Sequence, residues 1–549
     1  MPDGSFSPTN RRPGSRRSCA LFVLAIAVVS APLAATDVHL VSGTALEGSV
    51  DLALCPDGSF LVSWVNYELG FHEPRFQHFD AEGVALSPAV PFGDITTPGT
   101  ETRLGCDANN EALALWTRFG NEYAGVTSAM YVTAFSSSGS RLWPTIDLGN
   151  AVQPGAALFL GVDMTASPAG GWIVHWSARL PGSEVQREFS QRILTASGPV
   201  GEPFEWVDPP HAAALASAPN SAIQVFQRLD PQQSRLFAQR LLPDGSPAAP
   251  AREVYALNRQ DGLVFYDDEP AGFAGDRYFH LVSVGTLGGG GIYFPGFVTQ
   301  LQGLTTEGDQ LAVPPFPIRE VDTGDIRGSV AVDAQGRAMV AWGEAAVLLG
   351  PLVGRIQAFG ANGTPLSEVV ALNDLPTTLM VVPLSAISPS GRWIVVWGES
   401  GEFGASPGLR ARFGAFPAGC TPTMEVLCLA GNRFRVTTTY HDHLGRDGVG
   451  QAVALTPESG TFWFFTAANV ELILKVIDAC SHPDFQDFWV YASGLTDVAV
   501  TLTVVDTWTG ETWERETSLG EAFPPVLDSQ AFHTCGTTSP IVSLAAGAP

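Results

Sequence analysis

Two carboxylates stand at corresponding places in the chain, Glu344 two residues after Trp342 and Glu399 two residues after Trp397. Set about 5–10 Å apart, such a pair could act as acid and base on a glycosidic bond. Other polar residues collect just after large aromatics. They are Asn66, Tyr67 and Glu68 after Trp64; Arg118, Asn121 and Glu122 after Trp116; Arg179 and Glu184 after Trp176; and Arg228 and Asp230 after Phe226. Glu402 extends the group that Glu399 begins. Variable polar loops on a rigid frame are where binding usually resides. The first expectation is therefore a non-catalytic surface for a glycan or protein ligand. A polysaccharide hydrolase or lyase using Glu344 and Glu399 comes second, and a structural surface or matrix component third.

Other chemistries find little support. The chain has no G-x-S-x-G, H-E-x-x-H, phosphate loop or dinucleotide fingerprint. Pro74 follows His72-Glu73 and would break the helix that a zinc motif needs. Asp57 and Asp333 lie seven and nine residues before Trp, the wrong spacing for a sialidase-type turn, and read as turn formers. His441-x-His443, with Asp442 and Asp447, offers two imidazoles at strand spacing, too few for a metal centre, so a solvated hairpin tip is expected. The Gly288–Gly291 run precedes no helical pattern and reads as a loop. Lysine occurs once, at Lys475, which removes Schiff-base chemistry almost entirely. No cofactor and no metal are expected.

What positions these residues is a repeat. Gly58/Trp64, Asn110/Trp116, Gly170/Trp176, Asn220/Phe226, Gly336/Trp342 and Gly391/Trp397 each place a turn residue six positions before an aromatic anchor. Gly or Asn suits a hairpin turn that requires positive φ. Successive anchors lie 52, 60 and 50 residues apart, and later 55. An all-strand repeat of that length indicates a propeller or array. The Trp ladder recurs at one structural position, so it reads as core and not as a cofactor or sugar platform. Seven units are counted, the fifth divergent with Leu281 or Val282 at the anchor, and the seventh ending after its third strand at 410–416. The apolar stretch 37–43 reads as the missing fourth strand, and joining the two would remove open sheet edges.

The pattern visible in 330–342 and 75–83, an apolar strand, an Asp turn ending in Gly, a strand closing on Trp and then an Arg-x-x-x-Phe strand, resembles the repeat of secreted bacterial β-propeller proteins. It covers about 37–416 and implies fold and export, without shared chemistry. From Cys420 onward, strand candidates at 433–440, 451–456, 461–466, 470–477, 488–492, 498–505 and 511–516 suggest a β-sandwich. Arg433-Phe-Arg-Val, Phe462-Trp-Phe-Phe465 and Asn469-Val-Glu-Leu resemble a C-terminal module of secreted bacterial proteins with no assigned activity. The expected organisation is a signal peptide at 1–35, a seven-bladed β-propeller at 36–417, a β-sandwich at 418–536 and a flexible tail at 537–549.

Composition agrees. Charged residues are 15%, Gly and Pro number 58 and 41, and the net charge is −26. Such an acidic surface repels nucleic acid and anionic membranes. Arg11, Arg12, Arg16 and Arg17 precede an apolar run at 19–29 and small residues to Ala35, the form of a secretory signal, and the run is too short to span a bilayer. A secreted or cell-surface/periplasmic monomer is expected. Of seven cysteines, six remain after the leader, which in an exported chain points to disulfides. Cys420, Cys428, Cys480 and Cys535 allow three pairings, of which Cys420–Cys535 with Cys428–Cys480 is the expected one. Cys55 and Cys106 occupy equivalent repeat positions and are compatible with a bridge.

Overall fold

Gly turns between apolar strands make this chain a series of hairpins. The computed structural model describes residues 37–42, 49–68, 71–93, 101–118, 128–183, 185–206, 211–218, 221–229, 232–258, 263–266, 272–274, 277–285, 297–305, 316–321, 326–333, 336–345, 352–360, 366–367, 369–372, 383–388, 391–399, 408–416, 419–480 and 487–534. These residues are all-β apart from one short helix, Leu148–Val152. The strand before it ends at Asp147, whose carboxylate caps the helix by accepting from Asn150 N.

The described residues between 38 and 415 form seven antiparallel sheets. Sheets one to six are meanders over 51–91, 102–147, 157–205, 211–258, 263–321 and 326–371. Sheet seven is composite: Leu384–Ile387, Arg392–Glu399 and Gly408–Ala415 are completed by Val38–Ser42. The orphan leading strand and the incomplete last unit thus meet. Arg412 fastens the junction. Its guanidinium donates to both oxygens of Asp37, at 2.7 and 3.0 Å, and to the Ala371 carbonyl at 2.9 Å.

Turn chemistry and core follow the repeat. Gly58, Gly170, Gly336 and Gly391 have φ of 91°, 82°, 80° and 82°, and Asn110 has 58°. Trp64, Trp116, Trp176, Phe226, Trp342 and Trp397 are all buried. They fill the space between sheets: Trp116 packs with Phe76 and Phe92 of sheet one, and Trp64 shares a cluster with Val396 and Leu409 of sheet seven. The first strands touch in succession. Leu384–Ile387 contacts Asp51–Leu54, followed by Thr102–Cys106, Ala157–Ala166, His211–Ala218, Gly272–Ala274 and Ile326–Val332, which contacts Leu384–Ile387 again.

A hydrogen-bonding device recurs between these strands. Asp51 accepts from Leu104 N, Asp163 from Leu215 N, and Ser329 Oγ from Ser385 N at 2.7 Å. Each acceptor lies opposite the residue preceding its sheet's anchor, at Ser63, His175 and Ala341. One side chain per site thus satisfies a backbone donor of the next sheet.

Residues 427–532 form two five-stranded sheets. Leu427–Leu429, Phe434–His441, Ala499–Asp506 and Thr512–Thr517 run through one, with Asp447–Val449 beside Phe434–His441. The other orders Gln451–Thr456, Ser459–Trp463, Leu472–Asp478, Phe488–Gly494 and Val526–Phe532. The strands at 427–429, 447–449 and 526–532 escaped the sequence reading. Both sheets share one core, including Phe434, Val436 and Leu502 from the first and Phe462, Leu474 and Phe488 from the second. Trp508 reaches out to the Trp393 and Phe416 cluster, with Arg433 4.5 Å above its ring.

The disulfides depart from the expected set. Cys55 bridges Cys106, tying sheets one and two, and Cys420 bridges Cys428. This overturns the expected Cys420–Cys535 and Cys428–Cys480 pairs. Leu427 and Leu429 point into the core, so alternation turns Cys428 away from it. The Cys420 N–H donates to the Asn432 carbonyl at 2.7 Å, holding the segment beside that outward thiol. Cys480 is also disulfide-bonded, and Cys535 lies outside the described residues.

Candidate binding face

In a meander, the first and third turns lie at one end of a sheet and the middle connection at the other. The residues following the aromatic anchors therefore share the second end of their sheets. They are less loop-like than expected, because the central hairpins stay paired beyond the anchors. Tyr67 and Glu68 belong to Phe60–Glu68, opposite His72 and Phe71, and Glu344 belongs to Ala338–Ala345, opposite Val353. Arg118, Arg179 and Glu399 are the final residues of their strands, and Arg228 is the penultimate one. Asn121, Glu122, Glu184, Asp230 and Glu402 lie outside the described residues.

Arg118 and Arg228 continue the aromatic columns outward. With period 2 each shares the face of its anchor. The Arg118 guanidinium lies 5.4 Å from the Tyr131 centroid, and that of Arg228 lies 5.3 and 5.0 Å from Phe226 and Phe237. Arg179 is three residues beyond Trp176 and falls on the opposite face.

Glu399 is held in place. It is buried, receives Arg410 Nε at 2.5 Å on one oxygen, and accepts Trp397 Nε1 at 3.2 Å on the other. Both oxygens thus serve the strand pair, with Arg410 directly opposite Trp397.

The sequence reading missed two buried polar groups. In the first, Arg103 lies on the first strand of sheet two, between those carrying Asp51 and Asp163, with its Nε 4.0 Å from Asp163. Burial pushes the Asp51 carboxyl up, opposed by Arg103 and the N–H groups of Leu104 and Leu52. In the second, His175 meets Ser190 Oγ at 3.1 Å through Nδ1 and Glu188 at 3.0 Å through Nε2. This has the composition of a nucleophile triad, but all three residues are buried and Ser190 Oγ also accepts Trp206 Nε1 at 2.8 Å. No substrate carbonyl can reach that oxygen, so the group is structural. The partners lie on neighbouring strands at offsets matching no catalytic motif, and only a sheet register would have exposed them.

The His441–His443 loop is also explained. Asp442 is a turn anchor: the Arg446 N–H above all, with Arg446 Nε and Leu444 N, holds its carboxyl below the usual range. His441 faces Asp447 at 2.8 Å and His443 faces Asp497 at 3.3 Å, beside different clefts. Among the described residues, no group of three or more His, Cys, Asp or Glu is placed to hold a metal ion. No helix among them is long and apolar enough to cross a membrane.

No family model and no curated protein matches the chain. Among solved structures it is similar to a PL25 ulvan lyase bound to -[GlcA(1-4)Rha3S]-, with TM-score 0.42, 9% identity, and 69% of this chain and 96% of that one covered. It is also similar to the Dos1 propeller (TM-score 0.35, 10% identity, 69% and 94% covered). A third is the polysaccharide lyase Uly1 (TM-score 0.32, 12% identity, 46% and 57% covered), so the chain spans little more than half of that protein's length. Likenesses of this size carry no chemistry.

Proposed function

We propose that this chain is an exported binding protein. In this reading residues 36–417 form a closed seven-bladed β-propeller, completed by its N-terminal strand and joined to a β-sandwich over 418–536. The succession of first-strand contacts and the pairing of Val38–Ser42 with Gly408–Ala415 support the ring. The bridges at Cys55–Cys106 and Cys420–Cys428 suit an oxidising compartment. The ligand, a glycan or a protein, is taken at the strand ends and following segments after the anchors, with Tyr67, Glu68, Arg118, Asn121, Glu122, Arg179, Glu184, Arg228, Asp230, Glu344, Glu399 and Glu402 as the residues proposed to meet it.

The observation that carries a binding role over hydrolysis is the engagement of Glu399 by Arg410 and Trp397. The candidate acid–base pair loses one member to the scaffold. The test is a glycan and protein array probed with residues 36–549 and with an Arg118→Ala/Arg228→Ala variant. A ligand captured by the parent and lost by the variant is expected. Equal capture by both places the ligand elsewhere.

A further inference from the structure

One end of the C-terminal sandwich holds a cleft of about 720 Å³ that the proposed function does not use. Three connections line it: 442–446 after Phe434–His441, 465–471 before Leu472–Asp478, and 495–498 before Ala499–Asp506. Hydrogen bonds tie them together. Leu495 N donates to the Glu471 carbonyl at 2.8 Å, and His443 meets Asp497 at 3.3 Å. Two features of the lining are unmet within the chain. Leu444 and Leu495, on different connections, are each 76% exposed. Glu471 is the opposite case, for it is only 3% exposed and yet lines the cleft. Asn469 Nδ2 donates to its Oε1, while Oε2 receives no donor and is not sealed from solvent. A carboxylate drawn that far out of water is costly unless its charge is met. The cations of the lining are already engaged: Arg446 bonds Asp442 at 2.6 Å, and His443 is the partner of Asp497.

We propose that this cleft takes a segment of a partner protein in which an arginine or lysine adjoins aliphatic side chains. The cationic head meets Glu471 Oε2, with the exposed Asp497 as a second carboxylate, and the aliphatic neighbours cover Leu444 and Leu495. Charge selects this occupant. Once Asp442 and Arg446 cancel, the lining keeps two carboxylates and no permanent cation. The net charge of −26 draws a basic segment in and disfavours a second copy of this chain. The leucines separate a peptide from a cationic sugar, whose hydroxyl-rich rings bury aliphatic branches poorly. The connections are tied before binding, so little ordering entropy opposes it.

The test is fluorescence anisotropy of residues 36–549 with three short labelled peptides, alternating Leu and Arg, Leu and Glu, or Ser and Arg. The Leu–Arg peptide should bind, the Ser–Arg peptide about tenfold more weakly, and the Leu–Glu peptide not at all. Glu471→Gln keeps an oxygen for Asn469 and should weaken Leu–Arg binding at least about tenfold. Leu444→Ser/Leu495→Ser, at exposed positions, should bring the Leu–Arg peptide down to the level of the Ser–Arg peptide. Arg118→Ala/Arg228→Ala should change neither, which separates this cleft from the face after the anchors. The proposal is overturned if the Leu–Arg peptide does not bind, or if the Leu–Glu peptide binds equally well. Binding that survives both cleft variants would show general attraction to an acidic surface and overturn it too. A chitosan oligosaccharide that binds more tightly than the Leu–Arg peptide, and is lost in Glu471→Gln, would make the occupant a cationic glycan and overturn it equally.

Discussion

Replacing Arg412 by alanine tests how the two ends of residues 38–415 are held together. The side chain makes a two-pronged contact with Asp37, a third bond to the Ala371 carbonyl, and lies 5.7 Å from the Trp397 ring. The side chains of the pair are 11% and 23% exposed, between a surface pair and a buried one. Surface pairs are worth about 0–1 kcal/mol and a broken buried pair costs about 3–5 kcal/mol. The intermediate burial and the additional carbonyl bond place Arg412→Ala at a loss of about 2–4 kcal/mol. Arg392→Ala is the control: its pair with Glu82 also joins sheets seven and one, but at 42% and 55% exposure it should cost less than about 1 kcal/mol. Urea unfolding followed by tryptophan fluorescence reads both. Indistinguishable midpoints would refute the argument that the Asp37 junction closes the structure. Deleting residues 36–44 should go further, baring the edge of Gly408–Ala415 and producing oligomers in size-exclusion chromatography. A monomeric deletion variant as stable as its parent would refute it too.

Trp342→Ala should cost about 3–5 kcal/mol by emptying a site among buried neighbours. Trp143→Ala, at a half-buried ring bonded to the Thr195 carbonyl, should cost clearly less in the same unfolding assay. Asp51→Asn keeps an oxygen for Leu104 N and removes a buried charge. Because burial raises the native Asp51 pKa, its contribution is most favourable below the unfolded value near 4 and is lost as pH rises through the native one. The variant should therefore gain on the parent as pH rises from 3 to 7, and a constant difference in midpoint would exclude the linkage. Non-reducing peptide mapping should recover Cys55–Cys106 and Cys420–Cys428. Loss of the former should destabilise by about 4 kcal/mol and loss of the latter by about 2.5 kcal/mol, following the logarithm of loop length.

The sequence made the anchors and turns legible because each is a local signal: Gly391 with Trp397 can be read within seven residues. It also showed that 37–43 and 410–416 needed each other, since each is a fragment of the same four-strand unit. It could not show the Asp51 and Asp163 clamps, whose partners are backbone N–H groups about 50 residues away and leave no compositional trace. The Cys428 pairing failed for a nearer reason: alternation buries Leu427 and Leu429 and turns the thiol between them outward, toward Cys420. The loop-like reading of Tyr67, Glu68 and Glu344 failed because hairpin pairing continues beyond the aromatic, which composition does not reveal.

The most direct test of the functional account is turnover of a bound ligand. Each polysaccharide that residues 36–549 are found to bind should be incubated with the protein at saturation and assayed for new reducing ends and for unsaturated products by ultraviolet absorbance. The account predicts saturable binding with no cleavage above a heat-denatured control. Cleavage by the parent that disappears in Glu399→Gln, with the fold retained, would contradict it and return Glu399 to the role of a catalytic acid or base.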